Sequence, residues 1–516
     1  MINFCLRFTL ALGKRGALLL RNTLASASSG IFAQILALAT FPLLIRQVGP
    51  VDYGIFSLAS ATVGYFAIVN LAARASVVKY TAEFFEKDKE SLIGFFNNAL
   101  VINSILGIII ATFLIITALW CDKIFTLNEA DIPRARQILL INAAAAFICQ
   151  PLSVFGSLLY GFQKHSLVAI LDMVWTIASN SIILLIFFLK GSIFWLVWEE
   201  VLMQFLKNVI LSIIVIKNYE FISISLKYFD FKIIKKIFTY GGLSILYTLA
   251  LIIVYQGSMI ITGIIISVAA ITYLQLAYKI FNIINSFSLF LSSAVLPSSS
   301  AAIAAGDKDY LNNLIIHGLK ITLSIIFPFI IVFFMLSQDI IRIWIGQEFA
   351  DQSGTISKIL ILSWLFYSPM NFLTQIYFGQ QHIGIYSINA FLSALITTLI
   401  TIPLGLYFGL NGIVLACSIF YNYLGISSII LFSNKFNITI NTLINKVLMS
   451  IYIINILFLI IFCIVYAIFQ MPENILFFFS YILLILCIGI SLNLYYNAKN
   501  EIIFFINYIK NYILSI

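Results

Sequence analysis

Long apolar runs, divided by short clusters of charge, glycine and proline, make up most of the chain. From residue 359 to residue 434, between Lys358 and Lys435, 76 consecutive positions carry no Asp, Glu, Lys or Arg. At roughly 20 residues per bilayer crossing, that stretch holds about three crossings. Segments such as Ile453 to Tyr466 are apolar on every side instead of alternating, which is the pattern of lipid-embedded helices and not of a membrane barrel. Parsing the runs predicts fourteen spans, centred near Gln34, Gly64, Ile109, Ala145, Ser179, Phe205, Ile252, Phe287, Ile326, Phe366, Ala394, Ser418, Ile460 and Ile485. The fold class is an all-α polytopic membrane protein.

Composition agrees: of 516 residues, 62% are hydrophobic and 9% charged, whereas a soluble domain is about 45–50% apolar. The net charge of +9 would raise nucleic acid as a partner on a soluble chain, but the distribution of the cations gives another explanation. With the N-terminus inside, 19 Lys and Arg fall on the cytoplasmic side and six (Arg46, Lys123, Arg134, Arg136, Lys190 and Arg342) on the outer side. That is the positive-inside asymmetry of a bacterial inner-membrane protein with an even number of crossings and both termini cytoplasmic. Trp120, Trp195, Trp198 and Trp344 fall at the predicted outer interface. The six cysteines and three histidines are scattered, so no metal site, disulfide framework or cofactor is expected.

Arg7, Lys14 and Arg15 interrupt any signal-peptide core near the start, so the first long apolar segment is expected to be a retained span. A weak repeat organises the rest. Pro151, Gly161 and Gln163 recur as Pro369, Gly379 and Gln381 at an offset of 218; Asp88-Lys89-Glu90 with Leu92 recurs as Asp307-Lys308-Asp309 with Leu311 at 219. An offset of six spans keeps the orientation of the halves the same. The expected organisation is a six-helix bundle over 1–216, a basic cytoplasmic linker over 217–236, a pseudo-symmetric six-helix bundle over 237–433, and two extra helices with a cytoplasmic tail over 434–516.

Two such bundles around a shared cleft suit a transporter. No loop is long enough for a soluble catalytic domain, and no phosphate-binding glycine loop, metalloprotease motif or nucleophile elbow is present; the chain is not expected to be an enzyme. Candidate cleft residues come from helical spacing. Thr272, Gln275, Lys279, Asn282 and Ser286 follow a 3, 4, 3, 4 spacing that puts them on one stripe, and Glu200, Gln204 and Lys207 share a face, with Glu199 adjacent. Lys279, Lys207, Arg46 and Arg74 are candidate anion-binding cations; Glu199 and Glu200, read as the only strong acids within spans, are candidates for ion coupling. For Lys279 the alternative is snorkelling from the lipid side, for Glu200 and Lys207 a structural ion pair, and for Arg46 and Arg74 interfacial anchoring.

Arg21-Asn22-Thr23 through Gln34, then Pro42-Leu43-Leu44-Ile45-Arg46 and Gly49-Pro50-Val51-Asp52-Tyr53-Gly54-Ile55-Phe56, resemble the first two spans of a known family, as do Ile343 to Phe349 and Gly409-Leu410-Asn411-Gly412. These are the Wzx-type O-antigen flippases of the multidrug/oligosaccharidyl-lipid/polysaccharide exporter superfamily. The resemblance implies translocation of undecaprenyl-pyrophosphate-linked repeat units from the cytoplasmic to the periplasmic leaflet of a bacterial inner membrane. It implies membrane lipids and other polysaccharide-assembly proteins as partners. Two other readings compete: an ion-coupled multidrug antiporter, whose cation-exporting cavity would carry buried carboxylates and few lysines, and an integral-membrane glycan polymerase or transferase.

Overall fold

The computed structural model describes residues 13–498, apart from 241–243, 294, 296–298, 301, 303–305, 307, 380–383, 437–438 and 469–473. Asp307 and Gln381 of the internal repeat, and both chain ends, lie outside the described residues. The long helices are α1 (Gly13–Phe84), α2 (Lys89–Leu119), α3 (Ile132–Gly161), α4 (His165–Phe188), α5 (Ile193–Asn218), α6 (Phe231–Tyr240), α7 (Ser244–Ile265), α8 (Val268–Ser292), α9 (Lys308–Trp344), α10 (Gln347–Leu362), α11 (Met370–Gly379), α12 (Gly384–Phe436), α13 (Met449–Ile468) and α14 (Ile475–Asn497).

All fourteen predicted span centres fall on helices. Among the described residues, nine helices are singly long and apolar enough to cross a membrane, or ten with the bent pair Gln347–Tyr367 and Met370–Phe378. The larger expected number arises because α1, which holds two predicted spans, and α5, which carries Glu199, Glu200 and Lys207 within its length, are not among these, and because α12 holds two predicted spans in one helix. Each long helix bends at a glycine: Gly49 takes φ 80° and Gly409 φ 59°, which side chains with a Cβ adopt only with strain. Lipid-facing surface is plain on α13, where Ile456, Leu457, Ile460 and Ile461 are all more than half exposed; in water such a surface would be an aggregation site. Trp120, Trp195 and Trp198 are exposed as an interfacial belt requires, but Trp344 is buried at 9%.

Contacts divide the described residues into two compact units, those up to residue 272 and those from 273 onward. The division falls within α8, because α7 packs on the first unit. Tyr65 of α1 donates to the Ile253 carbonyl at 3.2 Å, and the Thr126 amide donates to the Gly263 carbonyl at 2.9 Å. The core of this unit at the α2 N-terminal end joins Tyr80, Phe95, Phe96, Phe155, Leu158 and Val215, with Ile237 of α6 packed into it. Asp88 caps α2, accepting from the Ser91 amide at 3.0 Å and the Ser91 hydroxyl at 2.6 Å. The Ser91 hydroxyl, followed by its amide, holds the exposed Asp88 carboxyl below the usual range.

In the second unit, Pro369 lies in the break between α10 and α11. A proline has no N–H to give the carbonyl four residues back, and Tyr452 of α13 donates its hydroxyl to that carbonyl, Leu365 O, at 2.6 Å. Asn455 and Asn493 exchange side-chain hydrogen bonds at 2.7 and 3.2 Å, tying α13 to α14 inside apolar surroundings. Phe281, Trp364, Tyr367 and Tyr421 form an aromatic cluster with neighbouring centroids 4.7–6.1 Å apart.

Candidate functional site

Helices α4 and α5 run antiparallel in the first unit and meet through polar side chains. Lys207 Nζ lies 2.7 Å from Asp172 Oδ1; Trp175 donates its indole N–H to the Met203 carbonyl at 2.9 Å; Ser179 donates its hydroxyl to Glu199 Oε1 at 2.6 Å. As the position rises on α4 it falls on α5, which is the register of an antiparallel pair with these residues on facing stripes. In a low-dielectric surround a polar group without a partner is costly, so each rung removes a penalty as well as adding an attraction. Below it on α4, Asn180 accepts from Thr40 of α1 at 2.9 Å and extends the polar face to a third helix.

Lys207 and Asp172 form one wall of a cavity of about 270 Å³. Helix α1 contributes Arg74, α3 contributes Ser153, Ser157 and Tyr160, and α5 adds Asn208. The Arg74 guanidinium sits over the Tyr160 ring at 4.7 Å from its centroid, a cation–π contact that holds the side chain in the cavity mouth. Pro151 interrupts the α3 ladder nearby, and there Ser153 donates to the Gln150 carbonyl at 2.7 Å and Asn208 to the Cys149 carbonyl at 3.2 Å. The Asp172 carboxylate offsets Lys207, leaving Arg74 as the excess positive charge beside hydroxyls and an aromatic face. Such a cavity suits an anion that carries hydroxyl groups.

The structure therefore brings Arg74 and Lys207 together, from helices far apart in sequence. Arg46 lies elsewhere, in a cavity of about 750 Å³ with Lys190 and Asp52. Glu199 is buried and bonded to Ser179, while Glu200 and Gln204 are exposed on α5. Thr272 is fully buried in the first unit and donates its hydroxyl to the Pro50 carbonyl at 2.6 Å, at the bend of α1. Gln275, Lys279, Asn282 and Ser286 are half-buried in the second unit, whereas Leu274, Ala277, Tyr278, Phe281 and Ile284 of the same helix are fully packed. The polar stripe is thus the less packed face of α8.

Asp172 corrects the reading that Glu199 and Glu200 are the strong acids within spans. It lies seven residues into α4, and an acid at that depth was the signal for it. Tyr160 had no such signal. Among the described residues, no group of three His, Cys, Asp or Glu side chains is placed to hold a metal ion.

Residues 19–303 match the family described as polysaccharide biosynthesis protein, and residues 244–406 match the MatE family. A "Putative O-antigen transporter" of Shigella flexneri is 22% identical over 362 residues, covering 67% of this chain and 82% of that protein. Among solved structures, the lipid II flippase MurJ in an inward closed conformation superposes with a TM-score of 0.71 at 18% identity, covering 93% of this chain and 98% of its own. A multidrug resistance MATE family transporter in its inward-facing conformation gives a TM-score of 0.59 at 18% identity, covering 81% and 94%. At these identities the structural likeness speaks for the fold.

Proposed function

We propose that the chain, which belongs to the polysaccharide biosynthesis protein family, is a membrane transporter of the Wzx-type flippase class that flips undecaprenyl-pyrophosphate-linked oligosaccharide repeat units from the cytoplasmic to the periplasmic leaflet. The observation that carries this reading is the cavity where Arg74 and Lys207 meet Ser153, Ser157 and Tyr160. Cations hold a diphosphate; hydroxyls and an aromatic face suit the adjoining sugar. A headgroup that left water for the hydrocarbon without such contacts would meet a penalty of at least ~2.5–3.5 kcal/mol per charged group on the insertion scale.

Alternating access between two bundles is the proposed mechanism, with the half-open α8 stripe around Lys279 as the second cationic surface. Both termini are proposed to face the cytoplasm, on the 19-to-6 asymmetry of Lys and Arg. A polymerase or transferase is not supported by relatives that are transporters and flippases. The likeness to MATE transporters is one of fold and does not favour drug export.

Deletion of the gene tests the proposal. Cells lacking the protein should accumulate lipid-linked repeat units in the inner leaflet and lose surface polysaccharide. Unpolymerised units exposed on the periplasmic face would indicate a polymerase, and intact glycan with raised drug sensitivity would indicate an exporter of drugs.

A further inference from the structure

The cavity around Arg46 is bordered by the turn that ends α4. Lys190, in the turn between α4 and α5, takes φ 52°, the left-handed region where glycine is the usual residue. Its amide donates to the Phe187 carbonyl at 3.0 Å and the Gly191 amide donates to the Ile186 carbonyl at 2.9 Å, closing the end of α4. Gln47 of α1 clamps the next carbonyl, Gly191 O, at 2.6 Å. A glycine stands one position later, where a Cβ would come within 2.8 Å of Ile186. The turn thus keeps a lysine at the position where a glycine would fold with less strain, as the end of α3 keeps Gln163 at φ 58°.

Lys190 and Arg46 both line this cavity of about 750 Å³, and both are exposed. Its carboxylate, Asp52, is already paired with Arg134 at 2.8 Å, and among the described residues no carboxylate pairs with Lys190. Lys190 therefore brings a positive charge to the cavity that no carboxylate among the described residues offsets. Helix α5 connects it to the Arg74–Lys207 cavity: Ile193 lines the first and Lys207 the second. Fourteen residues at 1.5 Å each separate them by about 21 Å, some two-thirds of a hydrocarbon core about 30 Å thick.

We propose that Lys190 and Arg46 form a second phosphate-binding site, about 21 Å along α5 in the same compact unit, which receives the phosphate group once it has crossed. This rests on the flippase reading for its direction, since the proposed topology puts Lys190 on the periplasmic side. The ligand chemistry is a phosphate or pyrophosphate anion, carried by a lipid or free.

The test is amine-labelling footprinting of the purified full chain, followed by mass spectrometry, in farnesyl pyrophosphate, in inorganic pyrophosphate, or in chloride of equal ionic strength. The exposed Lys123 serves as reference. At about ten times Kd, mass action leaves about a tenth of the sites open, so labelling of Lys190 should fall about tenfold while Lys123 is unchanged. Protection by farnesyl pyrophosphate alone would identify a lipid headgroup as the ligand; protection by both would show that the free anion suffices. Labelling of Lys190 that falls no further than that of Lys123 with either probe would overturn the site. As a second measurement, Lys190→Gly should raise the thermal midpoint, by relieving the turn, while Lys190-dependent surface polysaccharide falls and Lys190→Arg restores it. A Lys190→Gly protein with a higher midpoint and full polysaccharide would equally overturn it. The footprint needs no transport, so it stands apart from any failure of the deletion phenotype.

Discussion

The Asp172–Lys207 pair separates a structural role from a substrate role. Its side chains are 34% and 35% exposed at an N···O distance of 2.7 Å, between a solvated pair, which contributes up to about 1 kcal/mol, and a buried one, where stranding a charge costs about 3–5 kcal/mol. Asp172→Leu leaves Lys207 without its carboxylate and should destabilise the protein by about 1–3 kcal/mol, read as a lower thermal midpoint in detergent. Adding Lys207→Met removes the stranded cation. An apolar pair of similar volume replaces an ion pair at little net cost, so the double variant should return to within about 1 kcal/mol of the parent. Transport should not return with it. Loss of the Lys207 ammonium removes one charge-assisted contact to a phosphate, worth about 1.5–3 kcal/mol or about ten- to a hundredfold in affinity. Surface polysaccharide in a deletion strain expressing each variant at matched level is the assay. Parental polysaccharide from the stable double variant would reduce Lys207 to a structural residue and refute the reasoning.

Lys279→Arg should retain partial flipping and Lys279→Ala nearly abolish it at unchanged protein level, with Lys279→Glu at least as damaging; full activity of the Ala variant would return Lys279 to an interfacial role. Thr272→Val removes the donor to the Pro50 carbonyl and should cost about 1–3 kcal/mol of stability, and an unchanged thermal midpoint would show that the bend of α1 does not depend on it. Reporter fusions after Lys236 should read cytoplasmic and fusions near Gln347 periplasmic, and the same side for both would end the proposed topology.

The membrane class, all fourteen helical positions and the polar stripe on α8 were legible in the chain by itself, because each is a sum of local quantities. Hydropathy adds along a segment, the bilayer fixes the length that must be apolar, and the 3.6-residue turn puts Gln275, Lys279, Asn282 and Ser286 on one face whatever that face meets. Glu200, Gln204 and Lys207 were placed on one face in the same way, with Glu199 adjacent. The sequence did not disclose that Glu199 bonds to Ser179, that Lys207 bonds to Asp172, or that Arg74 joins Lys207 over Tyr160. Those contacts depend on which stripe of α4 faces which stripe of α5, and on how α1 and α3 pack beside them, and no single helix specifies its rotation about its own axis. For the same reason Thr272, read as part of the cleft stripe, is spent on the Pro50 carbonyl, and α7 joins the first unit. The left-handed Lys190 has no sequence signature, since the glycine that would mark such a turn stands at 191. Solvent preference along the chain determined what crosses the membrane; side-chain packing between helices decided which charges meet there.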